Sequence, residues 1–176
     1  MPDTPSGPDT PPGEVVVTPD DRRFRDVLGH FATGVTIITA MDGDEPIGLA
    51  ANSFTSLSLD PPLVLFCVAD SSSTWPRIEP TGRFAVNILG EGHEELCQLF
   101  AQRGADRFGS TPWHLGVSGS PVLDEAIAYI DCELEAQYPG GDHTIVVGRV
   151  IDFDLREGAR PLLFYQGTYA RMHEGS

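Results

Sequence analysis

The chain has 176 residues, 40% of them hydrophobic and 9% aromatic, which suits one globular domain with a substantial core. Its 26 acidic residues against 11 Lys and Arg leave a formal charge of -15, and no cations cluster, which excludes a nucleic-acid or anionic-membrane surface. Five histidines without ligand spacing and three cysteines without a Cys-x-x-Cys pair exclude a built-in metal site and a disulfide framework. No run reaches membrane-span length and the N-terminus lacks a basic, then apolar, leader pattern, so a cytoplasmic protein with reduced Cys67, Cys97 and Cys132 is expected.

Residues 1–17 are rich in Pro, Gly, Asp and Thr and read as a disordered tail, with the folded domain expected over 18–172. Thr18 is a candidate helix cap, Pro19 suits the first helical position, and Asp20 and Asp21 favour the positive end of a helix. Phe24, Val27, Leu28 and Phe31 recur at i, i+3, i+4, i+7, predicting a helix that packs this stripe on the core and ends near Gly34. Residues 35–40 are β-branched and read as a strand, and Asp42-Gly43-Asp44-Glu45 as a hairpin turn. The run from Gly48 to Leu63 alternates small hydroxyl-bearing and apolar residues and stops at Asp60-Pro61-Pro62. A strand so poor in bulk leaves room for a flat molecule against its backbone, although an ordinary half-buried strand has the same pattern.

Residues 63–68 form a continuous apolar run expected to be a central strand. Ser71-Ser72-Ser73-Thr74 then form a hydroxyl-rich loop feeding a helical turn at 75–78. A strand at 84–89 and a helix at 93–103 follow, and 105–123, which lacks periodicity, reads as a long surface loop. Ile130 to Tyr138 alternates with period two, with Asp131 on the polar face, and Pro139-Gly140-Gly141-Asp142 turns it into a partner strand from His143 to Phe153. Strands at 162–165 and 168–170 complete about seven hairpin-connected strands, favouring an antiparallel barrel over βαβ units. Neither a Gly-x-Gly-x-x-Gly nor a P-loop is present.

Ser71 to Thr74, with Arg77 nearby and Arg103 and Arg107 after the second helix, combine hydroxyls, backbone amides and scarce cations, the components of a phosphate site; a solvated, helix-capping turn is the competing reading. His143, directly after a glycine turn, can project into a cleft and titrates near neutrality, or can simply bond Asp142. Tyr169 fits either a core or a site. No nucleophile constellation exists, so an enzyme of this sequence takes its reactive atom from a cofactor.

Five ordered motifs, residues 31–39, 48–63, 84–89, 141–150 and 162–169, closely resemble the short-chain flavin reductases that serve two-component flavin-dependent monooxygenases. The resemblance covers Asp20 to Arg171. It implies a mainly β, antiparallel split β-barrel of Greek-key type with a few short flanking helices. It further implies a homodimer that passes hydride from NADH or NADPH to FMN or FAD and hands the reduced flavin to a separate oxygenase. Carried over, Ala50, Ala51, Asn52, Ser53, Phe54, Ser56 and Leu57 line the flavin ring and ribityl chain. Ser71, Ser72, Ser73, Arg77 and Ile78 hold its phosphate end, His143 stands beside the nicotinamide as the catalytic residue, and Tyr169 lies near the same pocket. Position 50 is alanine where threonine is common, and Ala105-Asp106-Arg107-Phe108 lacks the lysine of a frequent Lys-Asp-Arg-Phe. The rival reading is a flavin-binding module of the same fold without reductase turnover.

Overall fold

The computed structural model describes residues 21–172, so the tail expected over 1–17 and the cap expected at Thr18 and Pro19 lie outside the described residues. In chain order the elements are α1 (Asp21–Leu28), β1 (Thr33–Gly34), β2 (Thr36–Asp42), β3 (Glu45–Ala51), β4 (Thr55–Leu59), β5 (Pro62–Ala69), α2 (Trp75–Ile78), β6 (Arg83–Ile88), α3 (Glu94–Ala101), β7 (Trp113–Leu115), β8 (Pro121–Leu123), β9 (Ala128–Pro139), β10 (His143–Leu155), β11 (Leu163–Tyr165) and β12 (Thr168–Ala170). Among the described residues no helix is long and apolar enough to cross a membrane.

Seven strands form one antiparallel sheet in the order β3-β2-β6-β9-β10-β5-β4. β3 and β4 are consecutive in sequence yet occupy opposite edges, joined only by residues 52–54, so the sheet curls until its edges meet without a ladder between them. This is a split barrel, and the split lies where the Gly48–Leu63 run passes. The run is therefore not one strand but the end of β3, all of β4 and the start of β5, and Leu57 is the extra residue of a bulge between Ser56 and Ser58 on β4. β5, expected to be central, is second from the edge. Its Val64, Phe66 and Val68 point inward, while Leu63, Leu65 and Cys67 are half-buried.

The barrel interior is built on Phe66, which meets Trp75 and Phe84 edge-on at 5.6 and 5.4 Å. A second core cluster of Val35, Ile37, Leu89, Cys97, Phe100, Leu123 and Leu162 packs on the other side of β2. Gly48 makes that packing possible, because a Cβ there would stand 2.8 Å from the Phe100 ring and 2.9 Å from the Ile38 carbonyl oxygen.

Three further expectations are corrected. The first helix ends at Leu28, not near Gly34, and its stripe is not packed on the core: Phe24, Val27, Leu28 and Phe31 are 50–77% exposed. Residues 105–123 are not a surface loop. They include the β7–β8 hairpin, whose Val122 and Leu123 are fully buried, and Asn87 sews it to the sheet by accepting the Leu123 amide at 2.7 Å while donating to the Ile37 carbonyl and Thr39 hydroxyl. Because that hairpin covers β9, Asp131 is buried rather than on a wet face, and one carboxylate oxygen accepts the Ser118 amide at 2.7 Å.

Candidate active site

The C-terminal half of β3 and the strand end at Asn52 form one wall of a pocket of about 190 Å³, closed by Val35, Cys97, Phe164 and Tyr169. The wall residues Ala50 and Ala51 carry only methyl groups, so the pocket is a slot whose floor is backbone. Tyr169 meets Phe164 edge-on at 5.7 Å, and its hydroxyl interacts with the Cys97 thiol. Burial, followed by that thiol contact, pushes the Tyr169 phenol up to about 12, and burial likewise raises Cys97. Both groups keep their protons at neutral pH.

At the split, the Ser53 hydroxyl donates to the Cys67 carbonyl and accepts the Cys67 amide, both at 2.9 Å, and so takes the place of a missing strand partner. Phe54 packs against the barrel interior. Ser56 and Leu57 on β4 are exposed beyond the split and line neither this pocket nor the cleft described next.

The N-terminal half of β3 borders a second cavity, a cleft of about 410 Å³ with Pro46, Ile47, Ser73, Thr74, Arg77 and residues 104–108 on its walls. Of the three expected cations, Arg77 and Arg107 line this cleft and Arg103 does not, and the two that do differ. Arg77 is already ion-paired, at 2.7 Å to both Asp42 and Glu45. Arg107 donates to the Gly48 carbonyl at 2.8 Å, the Gln102 carbonyl at 2.6 Å and the Thr74 hydroxyl at 3.3 Å, has no carboxylate among these partners, and leaves its buried Nε without a partner. Burial lowers its pKa from the ordinary arginine value. The sequence motif around Arg107 is a weak signal; the structural one is a guanidinium hydrogen-bonded to carbonyl oxygens, which leave its charge unbalanced, instead of to carboxylates. Ser72 accepts the amides of Thr74 and Trp75 and caps the single turn of α2, whereas Ser71 and Ser73 are exposed. Ile78 is buried in the barrel core, where its side chain has no surface to offer a ligand.

His143 starts β10 opposite Ala69 of β5 and lines neither cavity. Its Nδ1 lies 2.7 Å from Asp142, whose carboxyl is held below the ordinary range first by that hydrogen bond and also by the charges of His143 and Arg25. The Asp70 amide donates to the Asp142 carbonyl at 3.1 Å and the Thr144 hydroxyl donates to the Asp70 carboxylate at 3.3 Å, so the histidine turn and the Ser71–Ser73 loop are fastened to each other.

A slot with a backbone floor, joined along β3 to a cleft that holds an uncompensated cation, fits a flat ring carrying a phosphate chain. Residues 28–173 match the flavin reductase like domain family. The chain belongs to that family. The flavin-dependent monooxygenase reductase subunit HsaB of Rhodococcus jostii is 49% identical over 150 residues, covering 85% of this chain and 77% of that protein. The FMN reductase (NADH) SmoA of Agrobacterium fabrum is 40% identical over 163 residues, covering 91% and 92%. The solved structure of the Streptomyces globisporus NADH:FAD oxidoreductase SgcE6 in complex with NAD and FAD fragments superposes with a TM-score of 0.83 at 41% identity, covering 88% of this chain and 93% of that one. Within this flavin reductase-like fold, the structure brings Ala50, Ala51, Asn52 and Tyr169 into one pocket and Ser73 and Arg77 into the neighbouring cleft.

Proposed function

We propose that this flavin reductase-like protein uses NADH or NADPH to reduce FMN or FAD and releases the reduced flavin to a separate flavin-dependent monooxygenase. The observation that carries this reading is the methyl-and-backbone wall at Ala50–Asn52 facing Tyr169, continued along β3 to the cleft at Arg107. When bound, the flavin supplies the two-electron chemistry, accepting hydride from the nicotinamide.

The chain's own part is positioning, which is why no nucleophile is needed. Ala50 and Ala51 leave room for a planar ring, and the backbone at 51–53 offers groups to its polar edge. Ser53 keeps the two sheet edges in register under the ring. Ser71, Ser73 and Arg107 provide hydroxyls and positive charge for the phosphate end. His143, held through Nδ1 by Asp142, presents Nε2 towards the nicotinamide, and the Asp70 ties keep that ring fixed relative to the phosphate loop. The Tyr169 hydroxyl, protonated at working pH, closes the slot without introducing charge. The exposed stripe of α1 supports a homodimer, and the three free cysteines support a cytoplasmic protein.

The test is NADH and NADPH consumption by the purified protein with and without added FMN or FAD. A flavin-dependent rate, coupled to hydroxylation by an added flavin-dependent monooxygenase, is the expected result. Flavin binding with no nicotinamide oxidation would overturn the reductase reading in favour of a binding module.

A further inference from the structure

Helix α1 plays no part in the core, yet it is fastened to the ring slot. Just after its C-terminal end the Gly29 carbonyl accepts the Gln166 amide at 2.9 Å. The His30 ring, whose Nδ1 donates to the Asp26 carbonyl at 2.8 Å, accepts the Gln166 side-chain amide on Nε2 at 2.9 Å. Gln166 forms the turn between β11 and β12, the strands that carry Phe164 and Tyr169 into the slot. One helical turn before Gly29 stands Arg25. The Asp142 carboxyl, held low first by its bond to His143, also feels the charge of Arg25, so the helix extends from the wall that closes the slot to the turn that carries His143.

Arg25 is open to a ligand. It is exposed, and among the described residues it makes no hydrogen bond and no ion pair, acting on Asp142 only at longer range. By contrast, Arg77, Arg149 and Arg171 are all committed to carboxylates. Arg22, three residues before Arg25, shares its face of the helix and adds a second positive charge there. At about 100° per residue this face lies beside the Phe24, Val27 and Leu28 stripe, so covering the stripe does not cover the arginines. In a chain of formal charge -15, most of the surface repels an anionic dinucleotide. An unpaired guanidinium next to the His143 turn is where its phosphates are best held.

We propose that the Arg22 and Arg25 face of α1 binds the phosphates of the adenosine half of the reduced nicotinamide dinucleotide, while its nicotinamide lies between His143 and the ring slot. The inference rests on the reductase reading above and extends it to residues that reading does not use. Arg25 is the main contact, its guanidinium donating to phosphate oxygens. The ties from Gln166 to Gly29 and His30 hold the helix in place relative to Tyr169.

The test is steady-state oxidation of NADH, NADPH and reduced nicotinamide mononucleotide, which lacks the adenosine half, at saturating flavin. Arg25→Gln is expected to raise the KM for both dinucleotides about tenfold, while kcat, the flavin Kd and the KM for the mononucleotide stay within about twofold. Arg25→Lys should recover part of the loss, and added salt should raise the KM for NADH more in the wild-type protein than in Arg25→Gln. A loss shared by NADH and NADPH assigns the contact to the pyrophosphate bridge, and a loss confined to NADPH assigns it to the 2′-phosphate. Unchanged KM values for both dinucleotides overturn the proposal. So does an equal loss with the mononucleotide, which would mean that Arg25 acts through Asp142 and His143. In those two cases flavin-dependent turnover persists and the reductase reading stands. If the wild-type protein oxidises no nicotinamide in the presence of flavin, both fail.

Discussion

The Ser53 hydroxyl lies 2.9 Å from both the amide nitrogen and the carbonyl oxygen of Cys67, one side chain satisfying the two ladder groups that the split barrel leaves open. Removing it exposes a donor and an acceptor in a half-buried place. Ser53→Ala is expected to lower stability by about 1–3 kcal/mol in urea unfolding. It should also weaken flavin binding, because the strand end at Asn52 loses its anchor. Unchanged stability with weakened flavin binding would instead mean that the hydroxyl serves the ligand directly.

The Asp142–His143 contact gives an acid-side prediction. The Asp142 carboxyl is depressed by its bond to His143 and by nearby positive charge, so its contribution to stability is full above the ordinary carboxylate value and fades as pH falls through the depressed one. Asp142→Asn is expected to flatten the pH dependence of stability below about pH 4. At neutral pH the same variant releases His143 Nδ1, and the KM for NADH should rise with little change in flavin Kd. His143→Ala should show the same split more strongly.

The alkaline side is set by two tyrosines together with the buried thiols of Cys97 and Cys132. Tyr129 is pushed up to about 12 chiefly by its hydrogen bond to Asp152, and Tyr169 to about 12 chiefly by burial. A phenol whose folded value lies above its unfolded value of about 10 stabilises the fold at lower pH and loses that contribution as pH rises from about 10 to 12. Burial also pushes the Cys132 thiol up to about 12 and raises Cys97, so thermal unfolding should hold steady to about pH 8.5, the ordinary thiol value, and then decline, and Tyr169→Phe together with Tyr129→Phe should remove only the part of the decline above about pH 10. Activity should show no ionisation assignable to Tyr169 below that range.

Helix α1 carries three large apolar side chains, Phe24, Val27 and Leu28, that the single chain leaves exposed, and Phe31 just after it is exposed as well. For the proposed dimer, Phe24→Ser with Phe31→Ser is expected to lower the mass in light scattering from that of two chains to that of one. A wild-type mass of one chain would overturn the dimer proposal, and a two-chain mass unchanged by the substitutions would overturn the α1 interface.

Much of the fold was legible because it rests on local patterns. The period of two in 130–138, the β-branched run at 35–40 and the run at 84–89 all became strands of the main sheet, and the glycine turn at 140–142 joins β9 to β10. What was not legible depends on which elements meet. Asp131 alternates like a surface residue, and only the β7–β8 hairpin, pinned by Asn87 from another strand, buries it. The α1 stripe has core periodicity but no core above it within the chain. At the site, Ala50 to Asn52 and Tyr169 line one pocket although they are far apart in sequence. Likewise, the engagement of Arg77 by Asp42 and Glu45 and the freedom of Arg107 from carboxylate bonds follow from contacts 32 to 59 residues apart in sequence, beyond the reach of any local pattern.

The two outermost strands of the sheet are separated by three residues of chain but by the whole width of the ladder. The hydrogen bonds that hold the two margins at the slot join residues only 14 apart in sequence, whereas the ladder between β3 and β5 runs the long way round through β2, β6, β9 and β10. A ligand seated there acts as a keystone: it joins the two margins of an arch, and its arrival should raise the resistance of the entire barrel to unfolding, not only that of the residues it touches.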